Sequence, residues 1–119
     1  MRKHKAAIFL ACMVIVALAC TAAMAATVTI TGQQTRGTGP LKNAKLECTP
    51  VTLPSEGVIS AASTTGDGFW INDGYGNWIV SFYNPGDAKG YRLPAGTYSI
   101  YPNLKQGQQN AVASITITY

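Results

Sequence analysis

Histidine is almost missing from this sequence. The single one, His4, lies among the first five residues, and the chain has only three cysteines and three methionines. Cys12, Cys20, Met1, Met13 and Met24 all fall within the first 25 positions. From Ala26 onward there is no histidine, no methionine and one thiol, Cys48. That stretch cannot assemble a Ser-His-Asp or Cys-His nucleophile. It cannot close an internal disulfide, and it has no His/Cys ligand set for a metal. No cofactor or metal is expected, and the expected activity is not enzymatic. Five acids remain as candidates for a carboxylate pair: Glu47, Glu56, Asp67, Asp73 and Asp87. Glu47 reads as outward on a strand, and the others sit in turn-like sequence, where Asp serves local hydrogen bonding.

The first 25 residues explain where the missing groups went. Arg2, Lys3 and Lys5 precede an unbroken apolar run over 6–19, and Ala23-Met24-Ala25 supplies the small-x-small pattern of a signal-peptidase site. The apolar run is shorter than the roughly 20 residues that cross a bilayer, so no membrane span is expected. The sequence therefore predicts a signal-peptide helix over 1–25 and one domain over 26–119, secreted or periplasmic in a bacterium. Leu18-Ala19-Cys20 resembles the end of a lipobox, with Cys20 as the lipidated residue. Ala17 stands where that motif carries a large aliphatic residue, so cleavage after Ala25 is preferred over a lipid anchor.

Charge is also scarce once the export segment is set aside. Arg36, Lys42, Lys45, Lys89, Arg92 and Lys105 oppose the five acids, leaving about one net positive charge with no cluster. Nucleic-acid binding, which needs a basic patch, is excluded as an expectation.

What remains is rich in Thr, Val, Ile and Tyr, punctuated by Gly and Pro, the pattern of short antiparallel strands. Strands are predicted over 27–31, 43–49, 58–64, 77–83, 90–93, 97–101 and 111–119. These make an all-β, single antiparallel Greek-key sandwich of about seven strands. Period-two alternation predicts Ala113, Ile115, Ile117 and Tyr119 on one face, Trp78, Val80 and Phe82 on another, and Ala44, Leu46 and Cys48 on a third. Cys48 then reads as a buried structural thiol.

Three segments resemble the prealbumin-like superfamily, meaning carboxypeptidase regulatory-like and Cna-B-like modules. Gly39-Pro40-Leu41-Lys42-Asn43-Ala44-Lys45-Leu46 is similar to the family's entry into its second strand. Ser63-Thr64-Thr65-Gly66-Asp67-Gly68-Phe69 is similar to its "T-x-T-D-x-x-G-x-F" step. Leu93-Pro94-Ala95-Gly96-Thr97-Tyr98-Ser99-Ile100 is similar to its turn before a late strand. In this last segment Pro94 and Gly96 reverse the chain, and the Tyr98 hydroxyl can tie back to the turn. The resemblance implies a sandwich that binds, spaces or presents. The Lys–Asn isopeptide of some Cna-B-like domains is not expected, because residues 114–119 carry no Asn or Asp.

The segment 66–78 holds the densest candidate chemistry. Trp70 and Tyr75 can stack on apolar sugar faces, and Asn72, Asp73 and Asn77 can hydrogen-bond hydroxyls. Alternatively the aromatics fill the core and the Asn-Asp-Gly and Gly-Tyr-Gly runs only turn the chain. Asp67, Asn72 and Asp73 offer oxygens to calcium, but without the EF-hand ligand series. The expected partner is an extracellular glycan or protein surface. A second reading is self-assembly, as in fimbrial subunits, because 27–31 and 114–118 carry no charge to guard a strand edge.

Overall fold

A computed structural model describes residues 26–37 and 44–119. Residues 1–25, which hold the expected signal-peptide helix and the candidate lipidation site Cys20, and residues 38–43 lie outside the described residues. Nine strands follow in order: β1 (Thr27–Thr35), β2 (Lys45–Cys48), β3 (Val51–Leu53), β4 (Gly57–Thr64), β5 (Phe69–Asp73), β6 (Trp78–Phe82), β7 (Arg92–Leu93), β8 (Gly96–Pro102) and β9 (Asn110–Thr118). A 3-10 turn at Pro85–Ala88 separates β6 from β7. The strands make two antiparallel sheets, β2-β1-β9-β4-β7 and β3-β8-β5-β6, with every connection except β1–β2 and β5–β6 crossing between them. The all-β Greek-key sandwich predicted from the sequence is the fold observed. It has two strands more than expected: β3, confined between Pro50 and Pro54, and β5, inside a stretch rich in turn residues. Among the described residues no helix is long and apolar enough to cross a membrane.

Alternation in β9 buries Ala111, Ala113, Ile115 and Ile117 on one side and leaves Val112, Ser114, Thr116 and Thr118 on the other. From Ala113 to Ile117 the buried row meets Ile30, Leu53, Ile59, Phe69, Ile71, Leu93, Tyr98 and Ile100 in a single core. Each buried Ile, Leu or Phe side chain there contributes about 1.5–3 kcal/mol. The Tyr98 hydroxyl donates to the Pro94 carbonyl at 2.6 Å, the tie-back expected for this turn.

Two β-bulges redirect side chains. Ile59 pairs with Ile117 but Ala61 with Thr116, so Ser60 is the extra residue in β4. Ile71 pairs with Val80 but Asn72 with Trp78, so Ile79 is the extra residue in β6. The second bulge overturns the expectation that Trp78 shares a face with Val80 and Phe82. Trp78 is turned outward and is 63% exposed.

The two sheets come into close contact where β1 crosses β8. A Cβ built on Gly32 would lie 1.6 Å from the Ile100 carbonyl oxygen, so only glycine fits there. The Ile100 amide donates to the Cys48 sulfur at 3.5 Å. Of the predicted inward row, only Cys48 reaches the core, and it is half-buried. Ala44 is exposed and Leu46 is 46% exposed, because β2 is the outer strand of its sheet and the core ends at Cys48. Lys45 and Glu47 point outward and pair at 2.9 Å.

β1 is zipped to β9 along its whole length, from Thr27↔Thr118 to Thr35↔Asn110. On its other side β2 covers only Gly32 to Thr35. Residues 27–31 thus form a sheet edge among the described residues. Residues 114–118 do not, contrary to the sequence reading, since β9 lies between β1 and β4.

Candidate ligand-binding face

β5 is the central element of the site. It lies between β8 and β6, and its alternation sends Phe69 and Ile71 into the core and Trp70 and Asn72 to the outer face of the sheet. The register places side chains there in two rows. Tyr101, Trp70 and Ser81 lie side by side across β8, β5 and β6, and Ser99, Asn72 and Trp78 form the next row.

The aromatic members are held in place. Trp70 and Tyr101 pack with ring centroids 5.5 Å apart and planes tilted 40°, a geometry that adds about 0.5–1.5 kcal/mol beyond area burial. The Trp78 indole N–H donates to the Ser81 hydroxyl at 2.7 Å. That bond ties the ring of one row to the hydroxyl of the other. The outer face therefore presents a fixed Trp70–Tyr101 pair, a largely exposed Trp78, and the Asn72 amide between them.

The five residues singled out from the sequence do not act as one group. Trp70 and Asn72 share the outer face. Asp73 is the next residue on β5, pairs with buried Tyr98, and points to the other side of the sheet. Its Oδ1 accepts the amide hydrogens of Tyr75 and Asn77, each at 2.9 Å, and its Oδ2 accepts from Asn77 Nδ2 at 3.2 Å. The backbone closes the same turn, with the Asp73 amide donating to the Asn77 carbonyl at 2.9 Å. Hydrogen bonding from the Asn77 backbone, followed by that of Tyr75, holds the Asp73 carboxyl below its ordinary pKa. Asp73 and Asn77 thus build the β5–β6 hairpin, with both Asp73 carboxylate oxygens and the Asn77 side-chain N–H engaged in it. Tyr75 stands at the hairpin tip, 93% exposed.

Beneath this hairpin lies an open cleft of about 560 Å³, lined by residues that include Asp73, Tyr75, Ile79, Gly96, Thr97 and Tyr98. Its polar atoms are largely engaged. The Thr97 and Thr52 hydroxyls bond each other at 2.8 Å, and the Tyr98 hydroxyl is tied to Pro94. The three oxygen donors considered for calcium are divided as well, Asn72 facing out, Asp73 serving the turn and Asp67 beside Tyr83, whose phenol pKa it raises.

Sequence reasoning missed Tyr101, Ser81 and the outward Trp78. Tyr101 had a readable signal, since alternation from inward Tyr98 and Ile100 puts it outside. Trp78 had none, because a bulge inverts its side. Compared with known protein families, with curated proteins and with solved structures, the chain matches none.

Proposed function

We propose that this chain is an exported, non-enzymatic sandwich module that binds an extracellular glycan on the outer face of the β3-β8-β5-β6 sheet. Trp78 and the Trp70–Tyr101 pair supply apolar surface for sugar rings, and Asn72 supplies hydrogen bonds to hydroxyls. Tyr75, at the hairpin tip, flanks the site. The observation that carries the reading is Trp78. A tryptophan held outside the core at 63% exposure, with its ring oriented by Ser81, loses burial that a purely structural indole would gain. The basic, apolar start of the chain supports export, and the lack of histidine after position 4 supports binding rather than turnover. The similarity of the 93–100 segment to prealbumin-like modules points the same way.

The test is a glycan array probed with the wild-type protein and with Trp78→Ala, Trp70→Ala and Tyr75→Ala, each checked for native folding. Binding that falls at least tenfold in Trp78→Ala and Trp70→Ala, and less in Tyr75→Ala, supports the reading. Binding unchanged in both tryptophan variants rejects it.

A further inference from the structure

We infer that the protein forms a two-fold symmetric dimer by pairing the 27–31 edge of β1 with the same edge of a second copy. This goes beyond glycan binding and uses the opposite sheet. The Tyr119 amide donates to the Ala26 carbonyl, and the Arg36 amide to the Gln109 carbonyl. Even-numbered residues of β1 therefore direct their backbone groups to β9, and odd-numbered ones direct theirs the other way. Gln33 and Thr35 meet Glu47 and Lys45 of β2 on that other side. Thr27, Thr29 and Thr31 have their N–H and C=O groups on a side where no strand lies among the described residues.

The edge has none of the devices that usually block strand addition: no charge, no proline and no bulge in Thr27-Val28-Thr29-Ile30-Thr31. Its sequence is also self-complementary. Antiparallel pairing about Thr29 sets Thr29 against Thr29 of the second copy, Thr27 against Thr31, and Val28 against Ile30. All the residues whose backbone groups point outward then face one another, and each pair exchanges two hydrogen bonds. Hydroxyls meet on the outer face and aliphatic side chains on the inner one. The same segment already pairs this way within the chain. Thr29 and Thr116 hydroxyls lie 3.2 Å apart, Thr31 and Ser114 hydroxyls 2.9 Å apart, and the partner strand reads Ser114-Ile115-Thr116-Ile117-Thr118. A second copy's β1 supplies the same alternation on the open side.

The experiment uses the protein expressed from the full chain and purified as processed. Sedimentation over a concentration series is expected to give a monomer–dimer equilibrium. Thr29→Lys sets two like charges opposite each other and weakens the dimer about tenfold or more. Thr29→Pro removes only an outward N–H and does the same. In a Cys48→Ser background, Thr29→Cys cross-links to itself on mild oxidation, since directly paired residues lie within disulfide reach. Thr31→Cys does not, because its symmetry mate lies roughly 13 Å away along the strand. A monomer at millimolar concentration, a dimer insensitive to Thr29→Lys in a folded variant, or equal cross-linking by the two cysteine variants overturns the inference.

Discussion

The Tyr98 hydroxyl donates to the Pro94 carbonyl at 2.6 Å across the turn that opens β8. Tyr98→Phe keeps the ring and leaves that carbonyl without its partner. A loss of about 1–2 kcal/mol in denaturant unfolding is expected. Burial raises the Tyr98 pKa above its ordinary 10.0. Its contribution to stability is therefore fully present below pH 10 and is lost as pH rises through the higher folded value. A shallower alkaline decline in Tyr98→Phe than in wild type checks this.

Gly32 tests the close contact between the sheets. Gly32→Ala drives a methyl group into the Ile100 carbonyl, which is backbone and cannot swing aside. About 3 kcal/mol or more of destabilisation is expected, the upper range of overpacking. Gly76→Ala meets no atom within 4 Å, and only its φ of +82° resists; about 1 kcal/mol is expected. Thermal unfolding of the two variants should rank them in that order.

The β5–β6 hairpin should loosen in acid. The Asp73 pKa is lowered below 3.8 by the amides that it accepts from. Its stabilising effect is present above that value and is lost as pH falls through the folded one. Asp73→Ala removes it at every pH. Amide exchange at Tyr75 and Asn77, faster in the variant at neutral pH and faster in wild type only in acid, checks both halves.

The bulge at Ile79 makes neighbouring positions respond differently. Trp78→Ala, outside the core, should change stability by about 0.5 kcal/mol or less. Ile71→Ala, fully buried opposite Val80, should cost about 2–5 kcal/mol. If Trp78 proves the more costly of the two, the assignment of faces in β6 is wrong.

These residues also mark what the sequence made legible. The alternation of 111–119, the Pro94-Ala95-Gly96 turn and the Tyr98 tie-back are local patterns, and each appears as expected. The misplaced features depend on partners in other strands. β5 exists because β8 and β6 flank it, which outweighs the turn-forming residues around it. β3 is three residues between prolines, ordered by pairing with β8. The bulges at Ser60 and Ile79 are one-residue slips against a neighbour, and a single strand's period does not encode them. Of the candidate site, Trp70 and Asn72 stand out by their side-chain chemistry and not by alternation, because no strand is expected over 69–73. Asp73 and Asn77 were grouped with them by sequence proximity, which ignores that successive strand residues face opposite ways.

The Tyr119 amide bonds to the Ala26 carbonyl at 2.8 Å, so the first and last described residues of the sandwich sit side by side. Tension applied between them loads the β1–β9 ladder from one end and opens it bond by bond, the least resistant way to strip a sheet. The same proximity makes the fold a good guest: spliced by both ends into a surface loop of another protein, it would hold the flanking chain only a strand's width apart.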